Sequence, residues 1–428
     1  MKSYLKALGI GTMLLMVGCG QGGEATEAKK DEKVELSFVT YTGTGEEYMM
    51  ELNSIAEAYS KVKPNVTIKM EKVQATEYDN TMKIRNSAQK LPDIFPVRVV
   101  TMENYKNILT PLNDLPATKV NKFANDYAID GNIYGLPMYG FNEFVYYRKS
   151  IFKELGLMEP QTWGEFLNLV TTLKTKSDYI PLAIGGKDLW VTYPYGQFIP
   201  YLVKGGDDIL NQMGEMKNPF VEGTPVYDGY KKVNDLFALQ PAGDNPLGYG
   251  WSQATNMFLS KKTAMLAAGQ WYYKDYMKDA PEADKSDLGM FLMPVRDSKD
   301  EKYRYFVTGE VFLAIPTTCK NQKEAKEFLN WFFASDYYQD YINHMQVLPA
   351  TEKVKLENSP FGEVLAKVEN KEPVYQIPGY EKFTKVKNIT HYDQNQLSQD
   401  LLGGVKFDDL MREWGTKWEE AWNNVIGG

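Results

Sequence analysis

The sequence predicts an α/β protein of two lobes, and three observations carry that prediction. At 428 residues the chain exceeds what one ordinary hydrophobic core serves, so two lobes are expected. Strand and helix patterns alternate through the first hundred residues, the rhythm of parallel βαβ units with right-handed crossovers. A strand–helix unit with its own start signal then reopens the pattern at 145–173, where a second lobe begins.

Val34, Leu36 and Phe38 alternate onto one face of a strand over 34–40. After a turn at 41–45, Met49, Leu52, Ile55, Tyr59 and Val62 form one side of a helix over 46–62, which Pro64 stops. Val66, Ile68 and Met70 alternate in a strand over 66–73. A helix follows over 77–89, and Leu91-Pro92-Asp93-Ile94-Phe95 leads into the next strand. Ligands of parallel sheets sit at the carboxyl ends of strands, which nominates the loops at 41–46, 97–101 and 138–143. Val145–Arg148 forms a buried strand, with a short helix after it. Thr162 and Glu165 then make a capping box, the hydroxyl accepting from the Glu165 amide and the carboxylate returning to the Thr162 amide. Trp163, Phe166, Leu167, Val170 and Leu173 fall on one stripe of the helix so opened. The segment 174–307 is rich in helix and in aromatics, among them Trp190, Tyr193, Tyr195, Trp251, Trp271 and Tyr272. A strand returns over 305–315 and a helix over 324–333. The chain ends in helix, with Leu410, Trp414, Trp418 and Trp422 close to one stripe that reads as core.

Hydrophobic residues make up 43% and charged residues 24%, the range of a soluble globular protein. A net charge of −8 argues against a nucleic-acid binder, which needs a basic face. The start is read separately. Lys2 and Lys6 precede a short apolar run, Ala7 to Val17, too short for a comfortable span. The run ends Met16-Val17-Gly18-Cys19, which resembles a bacterial lipobox, so 1–18 is expected to be a signal peptide and Cys19 the lipidated mature N-terminus. Residues 20–33 carry no large apolar side chain and read as a flexible tether. Cys319 is the one other cysteine, which leaves no intrachain disulfide and suits a packing role. His344 and His391 stand far apart without further ligands at metal spacing, so neither a zinc site nor another cofactor is expected.

Several ordered motifs span nearly the whole mature chain. They are the lipobox, Leu91-Pro92-Asp93-Ile94, Tyr134-Gly135-Leu136-Pro137 with Tyr146 to Lys149, and Pro160 to Phe166. Then follow Phe258 to Met265 with Gly269 and Trp271, Pro316 to Phe328, and Leu348-Pro349. In this order they resemble the family 1 extracellular solute-binding lipoproteins of bacterial ABC sugar importers, related to maltose-binding protein. The chain departs from the family's common Tyr-Asn-Lys at Tyr147-Arg148-Lys149. The resemblance implies a two-lobed, periplasmic-binding-protein-like fold of type II, each lobe a mainly parallel sheet flanked by helices. Lobe 1 takes 34–141 and 308–348, and lobe 2 takes 142–307 and 349–428. The chain crosses between them near 138–143, 305–309 and 344–352, and the ligand lies in the cleft between the lobes. Hinge closure then presents it to the permease. It also implies a monomer held by lipid at the extracytoplasmic face of the membrane, at the surface of a Gram-positive cell, and no catalysis.

A sugar offers hydroxyls at its rim and C–H faces, so its site needs planar polar groups and aromatic planes. The aromatic candidates are Tyr41, Tyr139, Trp190, Trp251 and Trp271. The polar candidates are Glu46, Arg98, Asn142, Glu143 and Glu310, with Lys187 and Asp188 beside Trp190 as further ones. An aromatic from 380–392 is a further option, and Asp93 is expected to support its loop. Two alternatives stay open: the same fold binding a non-sugar solute, and an extracellular glycoside hydrolase, which needs two carboxylates at a set separation.

Overall fold

The computed structural model describes residues 32–42, 46–75, 77–203, 206–356 and 359–426. The expected signal peptide, Cys19, most of the expected tether and the side chains of 42, 46–52 and 100, Glu46 among them, lie outside the described residues.

Strands β1 (Val34–Thr42) and β2 (Val66–Gln74) pair in parallel from Val34↔Val66 to Thr42↔Gln74, and helix Glu46–Val62 crosses between them. Ile55 and Tyr59 of that helix are buried, whereas Val62, expected on the same stripe, is exposed at its last position. The Asp93 carboxylate accepts from the Ser37 amide (2.9 Å) and hydroxyl (2.8 Å), which ties the loop before β3 (Phe95–Val97) to β1. Ile94 bridges Phe38 in parallel, and β3 runs antiparallel to Phe312–Ala314 of the later strand Tyr303–Ala314.

Strand β4 (Leu136–Arg148) organises the molecule, and all of its 13 residues are buried. From Leu136 to Asn142 it pairs antiparallel with Tyr303–Ala314. From Glu143 to Arg148 its partners are β6 (Thr263–Gly269) on one side and β7 (Leu288–Phe291) on the other. β5 (Ile180–Leu182) runs parallel to β6. Counted in chain order, Tyr303–Ala314 is β8. It also divides its pairing, meeting β10 (Lys371–Tyr375) through Tyr303–Val307 and β4 through Val307–Leu313. The short β9 (Leu348–Pro349) pairs with Tyr139 and Gly140.

The segment 138–143, expected as a loop, is therefore the middle of a strand. A strand covered on both faces shows no polar–apolar alternation, and Pro137 and Gly140 read as turn signals. Gly140 is there for space: a Cβ would sit 2.6 Å from Phe123 Cζ. Helix Trp163–Lys176 starts as expected at Thr162, whose hydroxyl accepts from the Glu165 amide at 3.3 Å. The Glu165 carboxylate, however, reaches the Gln161 amide at 2.7 Å, one residue beyond the box. Leu169 is buried on this helix where Leu167 is only half-buried. Arg148 is fully buried, with Asp287 3.0 Å and Asp284 3.3 Å away, so the arginine in Tyr147-Arg148-Lys149 anchors the end of β4.

In the last helix, Phe407–Val425, Trp414 and Trp418 are buried, and the Trp418 and Trp422 indoles donate to the carbonyls of Met216 (3.1 Å) and Gly214 (3.0 Å). Tyr392 packs edge-on against Trp414 and Trp418 and is core. Cys319 is buried too, and burial pushes its thiol up to about 12, as befits an unreactive packing residue.

Candidate functional site

Two groups of side chains meet on one face of β4. The first forms in the segment 185–271. Helix Trp251–Leu259 begins after Gly250, and its first amide donates to the Asp188 carboxylate at 2.8 Å. A Cβ at residue 250 would lie 2.4 Å from that carboxylate, so only glycine admits the contact. The capped turn sets the Trp251 ring 5.1 Å from Trp190, and Trp271 lies 5.5 Å from Trp251 and 6.2 Å from Trp190. Tyr193 stacks on Trp190 at 6.3 Å and 17°. All four rings are partly exposed. Gly269 makes room for Trp271, because a Cβ there would meet its indole nitrogen at 2.4 Å.

Glu143 lies opposite Gly269 in the sheet and is 5% exposed. The Tyr193 hydroxyl accepts from the Gly269 amide (2.8 Å) and donates to Glu143 Oε2 (3.0 Å). Glu143 Oε1 is buried without a hydrogen-bond partner. Burial raises this carboxyl well above its usual range, and the Tyr193 bond offsets that only in part. The group is pushed toward its protonated form, which both donates and accepts.

The second group belongs to the first sheet. The Tyr41 hydroxyl donates to Glu310. The Arg98 guanidinium lies 4.6 Å over the Tyr41 ring, donates to the Ala75 carbonyl (3.1 Å) and faces Asp79 at 3.7 Å. Burial raises Glu310, opposed by Tyr41 and Arg98. Val311 beside it adopts φ 54°, a conformation that is strained for a β-branched residue. Tyr139 pairs with Glu310 across the sheet.

Side chains alternate along a strand, so Tyr139, Phe141 and Glu143 share one face of β4. Phe141 reaches Gly269 and Trp271 from below, within 2.8 Å of the Gly269 Cβ position. The run from Tyr139 to Glu143 covers about 13 Å of backbone at the usual rise of a strand. The structure thus brings Tyr41, Arg98, Tyr139 and Glu310 together at one end and Glu143, Trp190, Trp251 and Trp271 at the other. Asn142 is not with them: it points to the opposite face of β4 and is 1% exposed. The side chain of Glu46 lies outside the described residues.

Sequence reasoning missed Tyr193, the residue that holds Glu143. No local signal separates it from its neighbour Tyr195, which is 1% exposed and packs on Phe237. Asp188 acts by placing Trp251, and its position next to Trp190 was the available signal.

Chemically, the arrangement offers indole and phenol planes, two carboxyls of raised pKa and one guanidinium. Together these suit a ring-shaped ligand with hydroxyls at its rim.

Residues 42–339 match the family model for bacterial extracellular solute-binding proteins. Among curated relatives, the multiple sugar-binding protein of Streptococcus mutans is 26% identical over 345 residues, covering 78% of this chain and 78% of that protein. The melibiose/raffinose/stachyose-binding protein MelE of Bacillus subtilis is 21% identical over 411 residues, 92% of this chain and 89% of that one. Among solved structures, an ABC-transporter binding protein of Bifidobacterium animalis subsp. lactis in complex with mannobiose superposes with a TM-score of 0.76 at 19% identity. The match covers 92% of this chain and 96% of that chain, a likeness of fold.

Proposed function

Because the chain belongs to the bacterial extracellular solute-binding proteins, we propose that it captures an oligosaccharide outside the cytoplasm and delivers it to the permease of an ABC importer. The single observation that carries the sugar reading is Glu143 Oε1, buried and unpartnered, on a carboxyl held by Tyr193, whose ring stacks on Trp190 of the tryptophan cluster. A sugar hydroxyl satisfies that oxygen while a C–H face covers the indoles. The relatives' names, multiple sugar-binding protein and melibiose/raffinose/stachyose-binding protein, support the same class of ligand.

On this reading Tyr41, Arg98, Tyr139 and Glu310 bind one end of the ligand, and Glu143, Tyr193, Trp190, Trp251 and Trp271 bind the other. The lobes are 34–141 with 308–348 and 142–307 with 349–428. The partner change of β4 between Asn142 and Glu143 supports a hinge at that point, and rotation there closes the cleft. Membership of an extracellular family carries an extracytoplasmic location, and among the described residues no helix is long and apolar enough to cross a membrane. Lipid on Cys19 then anchors a monomer through the tether. The ligand leaves chemically unchanged.

The test is a titration of the mature domain with a glycan panel, followed by tryptophan fluorescence, with chromatography of the recovered sugar. An oligosaccharide that quenches or shifts the fluorescence and is recovered intact is the expected result. Cleaved sugar would mean hydrolysis, and a response to amino-acid-derived solutes alone would mean another cargo.

A further inference from the structure

The reverse face of the crossing strands carries a second feature. Asn142 is 1% exposed, and both its amide nitrogen and its carbonyl oxygen lack a hydrogen-bond partner. Folded proteins rarely bury a whole amide group unpaired. Asn142 is among the residues that line a cavity of about 280 Å3. One wall of the cavity comes from Lys122, Phe123 and Asp126, and the other from Tyr305 and Tyr375 on β8 and β10. It is separate from the tryptophan site because adjacent strand residues point to opposite faces. Glu143 meets Tyr193 on one side, whereas the Gly140 and Asn142 side meets Phe123.

From this geometry we propose that the cavity is a second binding site, which takes a small, neutral, polyhydroxylated molecule of monosaccharide size. The amide supplies one donor and one acceptor, the pair that a single hydroxyl or a vicinal diol uses. The rings of Phe123, Tyr305 and Tyr375 offer planes for C–H faces. Lys122 and Asp126 carry opposite formal charges at the rim, so the site has no net charge to favour an ion. Hydrogen bonds from the occupant relieve the unpaired amide, and that relief is the driving force.

The probes are glucose, galactose, mannose and glycerol, each titrated by calorimetry into wild type, Asn142→Leu, Lys122→Ala and Trp271→Ala. Asn142→Leu removes both orphaned atoms at similar volume, a change that buried sites tolerate. Lys122→Ala changes an exposed rim residue and serves as the variant that leaves the interior intact. The expected result is a monosaccharide that binds wild type and Trp271→Ala alike, and binds roughly tenfold more weakly to Asn142→Leu and detectably more weakly to Lys122→Ala. No binding of any probe to wild type overturns the proposal. So does binding that Trp271→Ala abolishes and the other two variants keep, because that places the sugar at the tryptophan site. Oligosaccharide titration of the same proteins reads the tryptophan site separately, so either site can fail without the other.

Discussion

Replacing Tyr193 by phenylalanine removes one oxygen and breaks two hydrogen bonds of its hydroxyl, one of which holds Glu143. The lost contacts are the Gly269 amide to the hydroxyl at 2.8 Å and the hydroxyl to Glu143 Oε2 at 3.0 Å. An ordinary hydrogen bond is worth about 1 kcal/mol net, and a buried group left unpaired costs about 1–3 kcal/mol. The variant leaves an amide and a carboxyl oxygen unpaired, beside a Glu143 Oε1 that already has no partner. Some relaxation of Glu143 offsets part of the loss, so Tyr193→Phe should destabilise the ligand-free protein by roughly 2–4 kcal/mol. The ring itself stays, and its stacking on Trp190 with it. Urea unfolding followed by tryptophan fluorescence measures the change, with the slope against denaturant expected to stay constant. The freed carboxyl is also no longer aimed, so oligosaccharide affinity should fall by roughly tenfold. A double-mutant cycle with Glu143→Gln should show strong coupling between the two positions. A variant that unfolds within about 0.5 kcal/mol of wild type, the scatter of an ordinary surface substitution, would refute the bridging role assigned to the hydroxyl.

Other expectations follow from the same geometry. Burial holds the Glu143 carboxyl above its ordinary 4.5 in the folded state, so between the two values the folded protein binds the extra proton. That contribution to stability is fully present below the unfolded value and declines as pH rises, by at most about 1.4 kcal/mol per pH unit. Glu143→Gln should flatten the decline, read as the urea midpoint against pH, and an unchanged slope would assign the decline to other groups. Trp271→Ala should weaken oligosaccharide binding by about 2 kcal/mol and cost the ligand-free protein less than Trp418→Ala, whose fully buried ring is worth roughly 3–5 kcal/mol. Equal losses of stability in the two variants would make Trp271 a core residue. Cys19→Ala should shift the full chain from membranes to the medium, and retention would point to another attachment.

Much of the first sheet, and the helix Trp163–Lys176, was legible because each element carries its own period and its own start or stop. Val34, Leu36 and Phe38 alternate, Pro64 ends a helix, and Thr162 opens one. β4 was the instructive failure. Its centre is buried on both faces, so the period-two signal vanished, while Gly140 and Pro137 looked like a turn. Only the partner, Phe123 against Gly140, explains that glycine, and the partner is remote in sequence. The same error carried Asn142 into one site with Glu143, since a loop has no faces and a strand has two. The tryptophans were found because all three fall in the aromatic-rich segment 174–307, and Trp271 also closes a motif with Gly269 that resembles the family's. Their assembly into one cluster depends on Asp188 and Gly250, 62 residues apart, and no local pattern joins those two. Tyr193 was hidden for the same reason: its partners, Glu143 and Gly269, come from β4 and β6.

The most direct test of the central claim is a crystal structure of the mature domain grown with the tightest-binding oligosaccharide from the glycan panel. The account predicts a sugar ring packed on Trp190, Trp251 or Trp271, a hydroxyl within hydrogen-bonding distance of Glu143 Oε1, and the far end of the ligand near Tyr41, Arg98 and Glu310. A sugar bound elsewhere, with Glu143 Oε1 still unpartnered, would contradict it.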